Sequence, residues 1–513
     1  MRRRALLVTA IIVGTLAIPV SAQAAVDDVN TTRLRDAVTV SGILTHERAL
    51  QRIANKNGGT RASGTPGYTA SAAYVKDRLT KAGYTVTEQA FEFPFYQEVS
   101  PGTLSQVSPT AKAYETVTLD YSGTGDVTGT VVAATNIVIP ATETPSSAAG
   151  CAVTDYPAAS ATETQVALVQ RGTCVFADKV ANAIAAGYDA VVVFNEGNPG
   201  RTELLDGVTL GTPVTVPVVG VSYADGVELY DAALVGQAVV NVTSEVIAET
   251  RTTSNVIATS RRGNPDKAIV VGAHLDSVIG GPGINDNGSG TSVILETAIQ
   301  MSKLRIQPRQ QLRFAFWGAE ESGLLGSENY VATATDDELS KIYANLNFDM
   351  LGSPNYVRFV YDGDGSADPE GPVGPPGSAQ IEEVFNEYFA GKGLATAPTA
   401  FNGRSDYGPF IAVGIPAGGL FSGAEGVKTP EEAALFGGTA GEPYDACYHE
   451  ACDDIRNLST AALSELGDAA AHATMTLARS KGGFFDDNSR MPSRESAQVA
   501  PGQFDYRGNQ LTR

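Results

Sequence analysis

Apolar residues along this chain recur with two periods, and the changes of period mark out its parts. Over 36–57 the apolar positions Val40, Ile43, Leu44, Leu50 and Ile53 fall at helical spacing. The spacing repeats over 70–82, with Tyr74, Val75 and Leu79 on one face. A Gly/Pro-containing loop, 58–67, separates the two, and Gly83 stands where the second helix should stop. Residues 84–93 alternate as a strand does. From about 116 to 246 the pattern shifts to short β-rich runs at 128–132, 166–169, 190–194, 215–221 and 238–242, with one helix-like segment at 177–186.

After Thr252 strands and helices alternate. Strands are expected at 268–272, 312–317 and 345–350, and helices at 291–304, 323–332, 381–390 and 460–480. Such alternation predicts a largely parallel sheet with helices on both faces. The β-rich stretch therefore interrupts this α/β domain rather than preceding it, because the segment before it has no complete core pattern of its own. The expected organisation is a split catalytic domain, 25–115 and 247–481, around a compact insert, 116–246. Residues 482–513 are polar with few large apolar side chains, and are expected to form a flexible tail, a candidate for trimming after secretion.

Length and composition agree with a globular protein. The 513 residues are 43% hydrophobic and 18% charged, enough for two domains and a large core. The net charge of −21, with no basic run beyond Arg2-Arg3-Arg4, excludes a nucleic-acid binder and reads as solubility. Those arginines, the apolar run 5–20 and Ala22-Gln23-Ala24 have the order of a secretory signal cleaved near Ala24, so 1–24 is expected to leave the mature, extracellular protein. A retained anchor is the competing reading, but the run is short for a span, and no later segment is apolar enough to cross a membrane. Four cysteines in a secreted chain imply disulfides. Of the three pairings, the local one is Cys151–Cys174 with Cys447–Cys452, and the second loop would stiffen the segment around His449. Zinc thiolate binding competes, although neither pair has C-x-x-C spacing.

The chemistry gathers where strands end, which is where open α/β sheets place their sites. His274 follows one expected strand, Glu320 and Glu321 a second, and Asp349 a third. Asp286 lies in Asn285-Asp286-Asn287-Gly288, ahead of a helix. Two imidazoles and several carboxylates are the ligand chemistry of paired zinc, and two ions about 3.5–4 Å apart need a bridging carboxylate. Asp286 is the candidate bridge. His274 and Asp349 would hold one ion, and Glu321 and His449 the other. Asp276 would orient His274. Glu320 is left as general base for a bridging water, and Tyr448 as hydrogen-bond donor to the oxyanion. Taken singly, each residue has an ordinary explanation: a helix-start acid, a turn, a lone histidine. The chain has only four histidines, however, and His46 and His472 lie within helical patterns, so the other two fall where ligands are needed.

At these residues the chain resembles a known family. Val271-Gly272-Ala273-His274-Leu275-Asp276-Ser277, Gly283-Ile284-Asn285-Asp286-Asn287-Gly288-Ser289-Gly290, Phe316-Trp317-Gly318-Ala319-Glu320-Glu321-Ser322-Gly323 and Asn347-Phe348-Asp349-Met350 are similar to four core motifs of the M28 zinc aminopeptidases. Cys447-Tyr448-His449 with Cys452-Asp453 resembles the fifth motif in secreted Streptomyces-type leucine aminopeptidases. The resemblance implies a zinc-exopeptidase three-layer αβα sandwich on a mostly parallel mixed sheet, and the ligand and base set given above. Gly403-Arg404-Ser405-Asp406 resembles the segment whose arginine contacts the reaction intermediate, which adds Arg404. The insert, with Ala167-Leu168-Val169-Gln170-Arg171-Gly172-Thr173-Cys174, resembles a protease-associated (PA) domain with no catalytic residue of its own.

What the resemblance implies about function is a secreted, monomeric dinuclear-zinc aminopeptidase acting on peptides with a free N-terminus, with large hydrophobic, leucine-like first residues preferred. The resemblance also raises a calcium site without placing its ligands. A carboxypeptidase on the same fold would need cations for a free carboxylate, and the motif loops offer only Arg404. A cyclotransferase would use one zinc. An inactive binding protein would have lost ligands, and none is missing.

Overall fold

The computed structural model describes residues 29–236, 238–367, 372–481, 506–508 and 510–513. The expected signal segment and residues 482–505 of the expected tail lie outside them.

Side-chain caps set the first helices. Thr39 takes the Gly42 N–H at the start of α1 (Val40–Lys56), and Thr65 takes that of Tyr68 at the start of α2 (Pro66–Lys81). Pro66 opens α2, where its missing N–H costs nothing. Gly83, at φ 91°, ends it: its N–H reaches Thr80 O, and the Tyr84 N–H reaches Leu79 O.

Strand β1 (Thr85–Ser108) then leaves this body for the insert, which carries β2 (Gly125–Ala133), β3 (Gln165–Gln170), α3 (Phe176–Ala185), β4 (Ala190–Phe194), β5 (Val218–Val221) and α4 (Tyr223–Leu234). The return is β6 (Val239–Thr259). It pairs antiparallel with β1 from Thr85 opposite Thr259 to Ser108 opposite Val239, so a two-stranded ribbon joins the two bodies. β6 contains no glycine or proline to break it, and residue 246 lies inside it. β1 does bulge between Glu98 and Thr103, around Pro101-Gly102.

The catalytic body continues through β7 (Asn264–His274), α5 (Gly290–Lys303), β8 (Gln310–Trp317), α6 (Leu325–Thr333), β9 (Ile342–Phe348), β10 (Phe359–Tyr361), α7 (Ser378–Gly391), β11 (Ala397–Thr399), β12 (Ala417–Phe421) and α8 (Thr460–Arg479). Its sheet runs β11-β10-β12-β9-β7-β8-β6. Four of those pairings are parallel, and two, β10/β12 and β8/β6, are antiparallel. The sheet carries on through β6 into the insert as β2-β3-β4-β5.

Alternation along the central strands buries both faces. Ile269, Val271 and Ala273 of β7 join Leu312, Phe314 and Phe316 of β8 under the helices α1, α2, α5 and α8, while Val270, Ala315 and Trp317 face the opposite core with Val331 and Phe410. Each such valine, leucine, isoleucine or phenylalanine side chain stabilises the fold by about 1.5–3 kcal/mol. The insert has its own two cores, around Val169, Val180 and Val193 on one face and Leu168, Val192 and Leu229 on the other. Both expected disulfides are present, Cys151–Cys174 and Cys447–Cys452, and no described cysteine is free for zinc.

Two expectations need correction. His274 is the last residue of β7 rather than a residue beyond the strand, because the ladder to β8 runs on to pair Trp317 with His274. The end of the chain is not a loose tail: β13 (Tyr506–Arg507) pairs antiparallel with β14 (Gln510–Leu511), and Leu511 is buried in the insert's core. Leu511 finds a slot there, with Tyr506 packed against the same core, which polarity averaged over 482–513 does not show.

Candidate metal centre

The five expected ligands converge at the ends of β7, β8 and β9. The nitrogen His274 Nε2 lies 3.0 Å from Asp286 Oδ1 and 3.3 Å from Asp349 Oδ1. On the other side, His449 Nε2 lies 3.1 Å from Asp286 Oδ2 and 3.2 Å from Glu321 Oε2. The two oxygens of Asp286 thus face two different imidazoles. Glu320 stands further off, with Oε2 4.0 Å from His274 Nε2.

Local backbone explains the convergence. Ala319 at φ 54°, Met350 at φ 52° and His449 at φ 61° occupy the left-handed region that few non-glycine residues adopt, each at or next to a site residue. Ala319 turns the chain after β8 so that Glu320 and Glu321 diverge, and its N–H is held by Ser63 Oγ at 2.7 Å. Helix α5 starts against the end of β9: a Cβ on Gly290 would collide with Phe348 O, so glycine permits the approach that brings Asp286 beside Asp349.

A second ring of bonds holds the ligands. Asp349 accepts from Ser405 Oγ, which itself accepts from Asn347 Nδ2 at 2.8 Å. The carboxylate of Asp453 accepts the N–H groups of Asn285 and Asp286. Asp276 Oδ1 lies 3.6 Å from His274 Nδ1 and accepts the Glu320 N–H. The guanidinium of Arg61, fully buried, donates to Leu275 O, Pro282 O and Gly283 O and so clamps the two loops that carry His274 and Asp286. Sequence reasoning missed Arg61, which stands in the Gly/Pro-containing loop 58–67. It also gave no role to Asp453 or Ser405, although both stand in quoted motifs.

The charges fit bound cations. Burial would raise Asp286, yet its bonds with His274 and His449 hold it well below the ordinary carboxylate range. Burial would lower both histidines, yet Glu320 and Asp349 hold His274 well above its usual value, and Glu321 and Asp286 push His449 up to about 10. The carboxylates around both imidazoles thus demand positive charge. Asp349 Oδ1, buried, has no hydrogen-bond donor. A set of two imidazoles and three carboxylates with an undonated buried oxygen suits two divalent ions. Burial pushes Glu320 well above the carboxylate range, with His274 opposing and Asp406, Asp349 and Glu321 reinforcing.

Arg404 and Tyr448 come together on the rim. Arg404 forks onto Glu425 and donates to Tyr448 Oη at 3.2 Å, while the Tyr448 ring stacks on His449 at 3.8 Å between centroids. The cavity beside them holds about 240 Å³ and is walled by Met350, Phe359, Tyr361, Phe421 and Tyr444. A third acidic group, Asp362, Asp364 and Glu382, lies apart, with Asp362 accepting the N–H groups of Ser366 and Ala367 and Glu382, from α7, that of Gly363.

The chain is similar to known proteins. Residues 255–474 match the model of peptidase family M28, and residues 127–229 match the PA domain. An aminopeptidase of Pseudomonas aeruginosa is 45% identical over 452 residues, spanning 86% of this chain and 81% of that protein. Among solved structures, the aminopeptidase from Aneurinibacillus sp. strain AM-1 superposes with a TM-score of 0.68 at 26% identity, covering 89% of this chain and 98% of that one. The zinc aminopeptidase BSAP from Bacillus subtilis superposes at 0.56 and 26% identity, covering 88% and 98%.

Proposed function

The chain belongs to peptidase family M28 and is a metallo-aminopeptidase, and from that premise we propose that it holds two zinc ions and removes large hydrophobic residues from the N-termini of extracellular peptides. The observation that carries the reading is Asp286, placed with one oxygen toward His274 and the other toward His449. His274 and Asp349 would hold one ion, His449 and Glu321 the other, and Asp286 would serve both. Zinc bound there would polarise the scissile carbonyl and acidify water.

The chain's own residues do the rest. Glu320 takes the proton of the attacking water and returns it to the leaving amine. Tyr448 Oη, held by Arg404, donates to the oxyanion. The carboxylate excess favours a substrate ammonium. Arg404, the only Lys or Arg among the described residues of the cavity wall, is already paired with Glu425, which disfavours a substrate carboxylate. The aromatic wall of Phe359, Phe421 and Tyr444 supports a large apolar first side chain. Two disulfides support secretion, and among the described residues no helix is long and apolar enough to cross a membrane.

The test is hydrolysis of leucyl-p-nitroanilide and its N-acetyl form, before and after chelation and zinc readdition. Cleavage of the free-amine substrate alone, lost with chelator and restored by zinc, is expected. Equal cleavage of both would refute the free-amine requirement.

A further inference from the structure

The chain's last residues lie across the mouth of the site. Gly508 N donates to Gly403 O at 3.0 Å, and a Cβ on Gly508 would lie 3.6 Å from Glu320 Oε1. Arg507 Nε donates to Gly323 O at 2.8 Å, and its guanidinium pairs with Glu328. The Tyr506 ring sits 5.3 Å from the Arg404 guanidinium. Gln510 Nε2 donates to Glu321 O and to Asp120 of the insert. Beyond it the segment belongs to the insert. Leu511 exchanges backbone bonds with Gly207 and Thr209, Thr512 O accepts from Phe176 N, and Arg513 O accepts from Arg171 Nη2 at 2.7 Å.

These contacts share a direction. Glu320 must reach the leaving amine, so the part of a substrate beyond the scissile bond leaves the centre past Glu320. Gly508 occupies that path. Glu320 also lines the cavity walled by Phe359 and Phe421, but no described residue of the segment does. We propose that residues 506–508 and 510–513 form an intramolecular ligand of the leaving-group side of the site, held between catalytic body and insert, and that it obstructs the continuation of peptide substrates while leaving the first-residue pocket open. The surface it covers is one that takes a peptide hairpin in which an arginine reaches Glu328 and an apolar residue enters the insert.

The proposal rests on the aminopeptidase reading for its activity arm only. The full chain is compared with the full-length double variant Arg507→Glu/Leu511→Asp and with a chain ending at Lys481, on leucyl-p-nitroanilide and on Leu-Gly-Gly-Gly-Gly. Undocking is expected to raise kcat/KM for the pentapeptide by about tenfold, the factor for a tethered ligand at about 1 mM with a dissociation constant of about 0.1 mM. The nitroanilide, which has little beyond the scissile bond, should gain less. Separately, a fluorescein-labelled peptide of residues 505–513 is titrated into the shortened chain, or into the double variant if the shortened chain does not fold. Saturable binding supports the docked segment even if no substrate is cleaved, a result that would sink the function reading instead. No binding, or equal pentapeptide kinetics in all active chains, overturns the proposal.

Discussion

Asp453 accepts the backbone N–H of Asp286 at 2.9 Å, and its other oxygen accepts that of Asn285 at 2.8 Å. Asp453 follows Cys452, so the bond ties the disulfide loop that carries His449 to the loop that carries the shared carboxylate. Burial pushes Asp453 up to about 7, with the two backbone bonds opposing. Asp453→Ala should leave both N–H groups without an acceptor and weaken zinc binding about 10–100-fold. Competition with a zinc-chelating dye measures this, and unchanged affinity would remove Asp453 from the site's support.

Glu320 is set apart from the ligand pairs, 4.0 Å from His274 Nε2 where the ligands stand at 3.0–3.3 Å. Glu320→Gln should therefore keep zinc while kcat falls about 10²–10⁴-fold with little change in KM. Tyr448→Phe should lower kcat by about 10²-fold, the loss of one oxyanion donor. Zinc content by mass spectrometry beside steady-state kinetics separates the roles: a Glu320→Gln protein that lost an ion would make Glu320 a ligand instead.

Much of this centre was legible in the sequence because its chemistry sits at strand ends, and strands announce themselves by alternation. Phe314 and Phe316 on one face and Ala315 and Trp317 on the other made β8 plain, and Glu320 and Glu321 followed from it. The short strands β10, β11 and β12 were not found: β10 and β11 have three residues each, too few alternations to register, and β12 carries Gly418 and Gly419 in its middle. Arg61 was hidden for another reason. Its partners are carbonyl oxygens, which every residue has, so no side-chain pattern marks the loops it clamps. The terminal hairpin was hidden because its anchors, Gly207, Gly323 and Gly403, also engage through backbone groups.

Arg61 yields its own prediction. Its fork holds three carbonyls in the loops around His274 and Asp286, in full burial. Arg61→Met leaves those carbonyls without donors, and Glu47, also fully buried, loses its neighbouring cation. The expected cost is about 3–5 kcal/mol. Arg61→Lys should recover only part of it, since an ammonium cannot reproduce the fork. Urea unfolding of the zinc-loaded chains tests this, and equal midpoints for the parent and the Arg61→Met variant would mean the clamp adds no stability.

Lys179 sets a pH dependence in the insert. Its side chain is fully buried and donates to Ala149 O. Burial brings it down to about 8 from 10.5, with Glu196 and Asp155 opposing. The sign follows from proton counting: between about pH 8 and 10.5 the unfolded chain binds more protons at this site than the folded one, so stability rises with pH across that window. Below pH 8 the charged, buried ammonium costs the fold its full penalty, at most about 3 kcal/mol. Lys179→Met should therefore be more stable than the parent at about pH 7, by less than that amount because Ala149 O loses its donor. The difference should shrink as the pH approaches about 10, where the parent lysine folds neutral at little cost. Urea midpoints at about pH 7 and about pH 9.5 decide it, and a gap that widened with pH would show that Lys179 is stabilised as a cation by Glu196 and Asp155.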